Sequence, residues 1–490
     1  MFYRSLWCAT VLALLLVLAG WQRGGFADAP EESQTAATKR FVAYTWNVEP
    51  GRYENLVATY WLAGRMIDPQ RAKTATDAMP DGHRVLLSWD LHRWYHTDPR
   101  DYCRDAAGNP TGQPGIWWEH GVVEIAARFD DFFGRYKSIG GQVDAVVLDS
   151  EVNLSNWALG RKEQRYRAIM ADPRFDPIAK QLGFRDLLTV MNWQQQSGPA
   201  QDHFRIWNAL MHRRVVDYVN RAVYEPIGKH YPGVKLSNWG GCYNAPEFAC
   251  PDLNGHELSR FSPGAHVGTH QSGHLYCEIA QLSRRTFHGG RQPYGDSPFA
   301  GFRLSVNRMR SMALSSDVPV WPWISHKQYR DSRVRASGLY QELIFHAGLC
   351  GPDAFLLWNP RRRLATQQPE HFADDAQDKL VDDCLRQLNE LVGTADQKTL
   401  VTGLAGWYDD YVLTGMQAGG RSVWRFTPEL EPGQTWQDTL TTASPPTFHT
   451  GTTTIRIPNG TVHRPREELS DEGVWITAPA DARPVISVAN

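Results

Sequence analysis

Residues 143–153 read V-D-A-V-V-L-D-S-E-V-N, an apolar run followed by two acidic residues. The apolar run, residues 145–148, has the length and composition of a buried strand, and it ends abruptly at Asp149, Ser150 and Glu151. Because side chains alternate between the two faces of an extended strand, Asp149 and Glu151 share one face and Ser150 takes the other. The stretch therefore predicts a buried strand that carries two carboxylates at its carboxyl end.

The segment before this stretch predicts a strand, a helix and a second, parallel strand. Residues 83–90 form a strand candidate, and apolar residues then recur at steps of three and four between residues 119 and 138, as in an amphipathic helix. A glycine pair at 140–141 separates this helix from the strand at 145–148. This order is typical of a parallel sheet covered by helices.

The same alternation continues along residues 40–393, with about seven repeats. The remaining strand candidates are residues 41–46, 234–238, 266–276, 318–324 and 354–357, and the remaining helical patterns are residues 203–224, 302–314, 339–349 and 376–391. We therefore expect an α/β fold of the TIM-like (β/α) barrel type with seven or eight strands. An open doubly wound sheet is the alternative, although no glycine-rich phosphate loop follows any of the strands.

Active sites of (β/α) barrels lie at the carboxyl ends of the strands, where this sequence places aromatic and polar residues. Tryptophan is frequent, with 19 residues, and its flat apolar face suits the C–H face of a sugar. Besides Asp149 and Glu151, the candidate substrate-binding residues at strand ends are Trp46, Asn47, Trp89, Asp90, Trp239, Trp323, His326, Trp358 and Asn359.

The spacing of the two acids indicates a particular kind of glycosidic chemistry. Asp149 and Glu151 point the same way from one strand, so they are poorly placed to flank a glycosidic bond from opposite faces. Such a pair suits a retaining mechanism in which the 2-acetamido oxygen of the substrate is the nucleophile and one acid donates the proton. A solvated or salt-bridged strand end is the alternative interpretation of this pair.

The stretch A-V-V-L-D-S-E-V-N-L-S-N-W resembles the corresponding strand of the hyaluronidase family of glycoside hydrolases, in which an apolar run ends in D-W-E. Other similar pieces occur in the same order: T-W-N at the first strand, the triplet Cys242-Tyr243-Asn244, the strand V-P-V-W-P-W-I and the final F-L-L-W. The resemblance covers roughly residues 40–393. It implies a seven-stranded (β/α) barrel.

For individual residues, the resemblance implies that Glu151 is the general acid/base, that Asp149 positions the acetamido group and that Trp358 forms a wall of the sugar site. Tyr243 joins the candidate substrate-binding residues. Ser150 stands where the family has a Trp, so the sugar and its linkage stay open. We expect no metal or organic cofactor, because no pattern of close His and Cys residues suggests a zinc site.

Two alternatives to this enzyme stay open. One is a non-catalytic carbohydrate-binding or surface protein built on a glycosidase-like barrel. The other is a hydrolase in which Asp90 or another carboxylate is the direct nucleophile. A net charge of −2 with dispersed charges predicts no nucleic-acid partner, so a polysaccharide or glycan is the expected partner.

The ends of the chain predict an exported protein with a second domain. Residues 1–29 resemble a secretory signal peptide, with an uncleaved membrane anchor as the alternative, and residues 30–39 form a linker. Residues 40–396 are the barrel, and residues 397–490 are short β-rich segments that predict an antiparallel domain, which either packs on the barrel or binds carbohydrate. The protein is thus expected to be secreted, periplasmic or extracellular. Six cysteines follow the signal, and Cys242 with Cys250 is the pair expected to form a disulfide.

Overall fold

Parallel strands lie at the centre of the structure, which is a computed structural model. It describes residues 41–62, 68–88, 98–148, 162–190, 217–238, 297–315, 318–325, 337–361, 372–393, 396–400, 409–465 and 469–489, with single residues within 203–214 and 269–275 and at 467. The described residues belong to one compact unit, Lys39–Asn490.

The strands of the first part of the chain are short. They are β1 (Ala43–Thr45), β2 (Leu56–Ala58), β3 (Tyr60–Leu62), β4 (Val85–Ser88), β5 (Tyr102–Arg104), β6 (Pro110–Pro114), β7 (Ala145–Leu148), β8 (Lys235–Asn238), β9 (Trp323–Ser325) and β10 (Phe355–Trp358). β5 and β6 form an antiparallel hairpin, and the other eight form two four-stranded sheets with the orders β2-β1-β10-β9 and β3-β4-β7-β8. Every neighbouring pair in these two sheets is parallel, so within each sheet the strands end at one edge.

Helices alternate with these strands. They are α1 (Pro69–Asp77), α2 (Glu119–Ser138), α3 (Lys162–Ala171), α4 (Phe175–Leu182), α5 (Leu187–Val190), α6 (Glu225–His230), α7 (Pro298–Ser315), α8 (Leu339–Leu349) and α9 (Asp375–Val392), with a π-helical turn at Asn220–Tyr224. α2 shows how the sequence sets such a helix. Its apolar face is buried, and the carboxylate of Asp101 accepts hydrogen bonds from the N–H groups of His120 (3.2 Å) and Gly121 (2.8 Å) in its first turn. Gly140, with a φ of 79°, follows the end of the helix.

On one side, the two parallel sheets meet through a single extended segment. Thr59 alone separates β2 from β3, and its N–H donates to the carbonyl of Thr45 at 2.7 Å. β2 pairs with β1, and β3 pairs with β4. One segment therefore serves both sheets.

On the other side, residues 269–275 lie between the edge strands β8 and β9. The N–H groups of Thr269 and His270 each donate to the carbonyl of Leu236 at 2.9 Å, and the N–H of Leu275 donates to the carbonyl of Trp323 at 2.7 Å. Within the predicted strand 266–276, the described residues thus make backbone hydrogen bonds to both β8 and β9, although they do not form a regular strand.

Alternation along the strands separates an inner cluster of side chains from an outer layer. The inner cluster draws on both sheets and contains Val42, Tyr44, Val85, Leu87, Ala145, Val147, Trp321, Trp323, Ala354 and Leu356, with Trp46, Val57, Trp61 and Trp358 partly buried against it. The intervening residues pack against the helices, as Leu86 and Val146 do. Each aliphatic side chain buried in this way contributes about 1.5–3 kcal/mol, so these strands are held from both faces.

The C-terminal part forms two antiparallel sheets. Its strands are β11 (Lys398–Thr399), β12 (Tyr411–Ala418), β13 (Arg421–Pro428), β14 (Leu440–Ala443), β15 (Pro446–Thr450), β16 (Thr453–Arg456), β17 (Thr461–His463), β18 (Val474–Pro479) and β19 (Val485–Val488), in the orders β11-β12-β13-β18-β17 and β14-β15-β16-β19. Trp424 and Ile476 of the first sheet pack against the second sheet, whereas Val423 and Trp475 pack with α8 and α9. The antiparallel C-terminal domain is therefore present, and its first sheet covers helices of the parallel part.

A buried polar network lies where this sheet covers α8. We call Glu342, His346, Thr414, Arg425 and Thr427 the interface network; each is at most 2% exposed. Arg425 makes two hydrogen bonds to the Glu342 carboxylate, one of 2.8 Å from Nε, and the Thr427 hydroxyl donates to the same carboxylate at 2.7 Å. The two ring nitrogens of His346 lie 2.6 Å from the Thr414 hydroxyl and 2.8 Å from that of Thr427.

The protonation of His346 follows from these partners. Burial, and then the nearby positive charges of Arg310 and Arg425, hold the pKa of His346 well below its usual value. Because the Thr427 hydroxyl already donates to Glu342, we infer that Nε2–H of a neutral His346 donates to Thr427 and that Nδ1 accepts from Thr414. The network then uses every donor and acceptor of the imidazole.

The structure confirms parallel strands, which form two four-stranded sheets, and the strongest helical patterns. The helices 119–138 and 339–349 and the strand 145–148 have the predicted bounds. The segment 56–62, which joins the sheets, was not predicted. Cys103, Cys350 and Cys384 are buried and free, while Cys242, Cys250 and the predicted signal peptide lie outside the described residues. Within the described ranges, no helix is long and apolar enough to cross a membrane.

Candidate functional site

Four tryptophans cluster on the parallel strands, and we call Trp46, Trp61, Trp323 and Trp358 the tryptophan edge. Trp46 directly follows β1 and Trp358 ends β10, whereas Trp61 is the middle residue of β3 and Trp323 is the first residue of β9. The ring centroid of Trp46 is 5.3 Å from that of Trp61 and 6.0 Å from that of Trp323, both in edge-to-face geometry. All four belong to the inner cluster or pack against it. Trp46, Trp61 and Trp358 are partly exposed, so they offer indole surface to a ligand.

Strand periodicity places these residues. Tyr44 faces the inner cluster from β1, and Trp46 stands two positions further along the same face. Leu356 and Trp358 have the same relation on β10. The buried interior of the strands therefore ends in indoles.

Trp323 differs from its three neighbours because its side chain is only 1% exposed. The sequence predicted that it contacts substrate. In the structure it is the buried member of the tryptophan edge: it lies in the inner cluster, and its ring packs edge to face against that of Trp46. The structure thus shows a packing role for Trp323, and its contact with substrate stays a prediction.

Asn359 was also predicted to contact substrate, which stays a prediction, and the structure shows that it links two strand ends. It is fully buried; its amide oxygen accepts from the Thr45 hydroxyl, and its amide nitrogen donates to Asp378 on α9 at 3.1 Å. Asn47 is half-buried, and its side chain donates to the carbonyl of Asn359 at 2.8 Å. These bonds fasten the ends of β1 and β10 to each other.

A carboxylate lies behind this pair of strand ends. Asp378 is fully buried and accepts from Arg361 as well as from Asn359. Burial raises the pKa of Asp378 above its usual value, although both donors act in the opposite direction. Hydrogen bonds to Asp378 therefore connect the end of β10 to α9.

The predicted catalytic pair follows the last described residue of β7. Leu148 is fully buried and stands opposite Ser88 of β4 and Asn238 of β8. Asp149 and Glu151 lie outside the described residues, as do Trp89, Asp90, Trp239, Tyr243 and His326. Their roles stay predictions.

Sequence reasoning missed Trp61. Its signal was the short run T-Y-W-L at 59–62, which has strand composition but follows a polar stretch and no helical pattern. Among the described residues, no three His, Cys, Asp or Glu side chains converge in a way that could hold a metal ion.

Comparisons with known proteins give only distant similarities. No family model and no curated protein sequence matches the chain. Among solved structures, a β-galactosidase from the haloarchaeon Halorubrum lacusprofundi matches with a TM-score of 0.43 and 14% identity, over 71% of this chain and 58% of that one. A β-galactosidase from Marinomonas ef1 matches with a TM-score of 0.43 and 14% identity, over 68% of this chain and 54% of that one.

A conserved exported protein from Bacteroides fragilis matches over 84% of this chain and 76% of that one, with a TM-score of 0.34 and 10% identity. The chain thus spans a little more than half the length of the two β-galactosidases. Similarity at this level assigns neither a family nor an activity.

Proposed function

We propose that the protein is an exported glycoside hydrolase that acts on a polysaccharide or glycan at the tryptophan edge. The observation that carries this proposal is the position of the partly exposed indoles of Trp46 and Trp358 at the carboxyl ends of β1 and β10, with that of Trp61 one residue before the end of β3. The sequence D-S-E directly follows the carboxyl end of β7. Indole faces suit sugar rings, and carboxylates supply the proton transfer that glycosidic cleavage needs.

We further propose that the parallel strands close into a (β/α) barrel. The hydrogen bonds support a continuous order: β1, the β2–β3 segment, β4, β7, β8, residues 269–275, β9 and β10, which pairs again with β1. The inner cluster, which draws on both sheets, is the interior expected of such a barrel.

Strand parity supports the assignment of the acids to this site. Ala145 and Val147 face the inner cluster, and Asp149 and Glu151 have the same parity in the sequence. In the proposed mechanism, the 2-acetamido oxygen of the substrate attacks the anomeric carbon while Glu151 protonates the departing oxygen, and Asp149 orients the acetamido group. Water then opens the cyclic intermediate, with Glu151 as the base, so the anomeric configuration is retained.

The test is hydrolysis by purified variants on a panel of polysaccharides with and without 2-acetamido sugars, measured as new reducing ends. We expect Glu151→Gln and Asp149→Asn each to lower turnover by roughly 10²–10⁴-fold, the usual contribution of a positioned acid or base. Glu163→Gln is the matched control, because Glu163 is an exposed carboxylate on α3 that pairs with Arg167. It should keep wild-type turnover.

Wild-type turnover in Glu151→Gln would refute the assignment. Cleavage of sugars that lack the acetamido group would favour a direct carboxylate nucleophile such as Asp90. Retention of the wild-type protein on a polymer without new reducing ends would favour the non-catalytic carbohydrate-binding protein.

A further inference from the structure

A cavity of about 350 Å³ lies among the helices outside the parallel strands. Its walls include Trp118 and Tyr218, whose rings meet edge to face with centroids 5.5 Å apart, and the apolar side chain of Leu210. Trp118 and Tyr218 pack with the helices and the outward-facing strand residues and not with the inner cluster. The cavity is therefore separate from the tryptophan edge. The volume is at the lower end of the range for small-molecule sites, about 300–1,000 Å³.

The two arginines that line this cavity differ in their ion pairs. Arg221 binds Glu119 at 3.0 Å and Asp217 at 3.2 Å, so one guanidinium holds both carboxylates of the cavity wall. Toward the described residues, the second guanidinium, Arg214, makes one hydrogen bond, a 3.2 Å donation to the carbonyl of Ile116. Its Nε is buried without a hydrogen-bond partner, and it forms no ion pair within the described part of the chain.

The guanidinium of Arg214 lines a partly apolar space and has no carboxylate partner among the described residues. A buried donor without an acceptor costs about 1–3 kcal/mol, and more when it is charged. Burial lowers the pKa of Arg214, and the negative charges of Asp217 and Glu119 offset only part of this effect. The guanidinium stays charged, because an arginine pKa begins far above neutrality.

We propose that this cavity is a binding site for a small organic carboxylate whose apolar body packs against the wall formed by Trp118, Tyr218 and Leu210 and whose carboxylate accepts hydrogen bonds from the terminal nitrogens of Arg214. A carboxylate matches the fork of donors on a guanidinium better than a neutral group does. An inorganic anion would satisfy the charge and leave the aromatic walls unused. The site does not depend on the glycosidase activity.

The probe is phenylacetate, with phenylacetamide as its uncharged control of the same shape. Titration calorimetry on the full-length protein should show phenylacetate binding at least tenfold more tightly than phenylacetamide. Arg214→Met should remove this preference, while Arg135→Met, which changes an exposed arginine on α2, should preserve it. Equal binding of the two probes, or an unchanged preference in Arg214→Met, would overturn the proposal.

A second variant keeps the test valid if Arg214→Met does not fold. Leu210→Trp fills the cavity and leaves the guanidinium in place. It should weaken phenylacetate binding at least tenfold. Unchanged binding in Leu210→Trp would place the probe elsewhere and overturn the proposal, as would the absence of phenylacetate binding to the wild-type protein.

Discussion

The tryptophan edge and the interface network are both clusters of side chains on strands, but they differ in exposure. The side chains of the interface network are buried and bind one another, whereas part of the tryptophan edge is exposed to solvent. In the interface network, Glu342, Arg425 and His346 are at most 2% exposed and bind one another or two threonine hydroxyls. At the tryptophan edge, Trp46 and Trp358 keep part of their surface exposed. A region completed by its own chain stabilises the fold, and a region left partly open is available to a ligand.

Breaking the interface network should have the largest effect on stability. Arg425→Met leaves the Glu342 carboxylate buried without its cation and removes the guanidinium from the rings of Phe345 and Trp475, 5.0 and 4.8 Å away. Loss of one partner from a buried ion pair costs about 3–5 kcal/mol, so we expect a decrease of that size in the free energy of unfolding. Denaturant titration of the purified variant measures it.

The matched control is Arg167→Met, which removes an exposed i,i+4 ion pair and should cost less than about 1 kcal/mol. The double variant Glu342→Leu/Arg425→Met should recover part of the loss, because no unpaired charge remains. If Arg425→Met and Arg167→Met proved equally mild, the interface network would not hold the C-terminal sheet as described.

The tryptophan edge should respond in binding more than in stability. Trp358→Leu removes partly exposed indole surface, so the affinity for the best glycan of the panel should fall about tenfold, equivalent to about 1.4 kcal/mol. Trp323→Leu, at a position 1% exposed, should mainly lower the free energy of unfolding. Glycan titration and denaturant unfolding of both variants separate the two effects. If the loss of affinity relative to the loss of unfolding free energy were the same in both variants, Trp358 and Trp323 would not have different roles.

Glu472 offers a smaller test at the rim of the interface network. Burial and the negative charge of Glu342 raise the pKa of Glu472 to about 7, from 4.5. The folded state therefore holds a proton that the unfolded state releases, so this contribution to stability is complete below pH 4.5 and is lost as the pH rises through 7. Glu472→Gln stays neutral, and we expect it to be more stable than the wild type by about 1 kcal/mol at pH 8.5, because partial exposure screens the charge.

Comparison of the two proteins at each pH removes the contribution of His346, which has the opposite sign. The lowered pKa of His346 gives stability that is present above pH 6.5 and lost as the pH falls. Denaturant unfolding at pH 4.5 and 8.5 should show no difference between Glu472→Gln and the wild type at the lower pH. An equal difference at both values would mean that Glu472 does not titrate in this range.

Periodicity was sufficient to predict the long elements of the fold. α2 repeats its apolar residues over five turns and was found with its bounds, whereas the segment 56–62 has no such repeat, because Thr59 interrupts it and it changes partner halfway. Residues 269–275 make their hydrogen bonds without regular strand geometry, so composition alone predicted them weakly.

The candidate site was predictable in position but not in the role of each side chain. Asn359 follows a strand end, as a ligand-binding residue would, but its partner Thr45 is 314 residues away, and only the fold shows that the two side chains bind each other. Glu342 and Arg425 are 83 residues apart and carry no motif. Sequence patterns predict which residues belong to the same helix or strand. They do not predict which residue of a distant helix or strand is the hydrogen-bond or ion-pair partner of a polar side chain.

The hydrogen bonds that join the β1 region to residues about 310–350 positions later in the chain also limit when β1 can fold during synthesis. Phe41 donates to Asn389 at 2.6 Å across 348 residues, and β1 pairs with β10. At about 5–20 residues per second, the ribosome needs roughly 20–70 s to supply these partners. During that time one edge of the first strand has unpaired backbone groups, which is a template for association with other chains. During synthesis, β1 is therefore a site at which the nascent chain can associate with other chains.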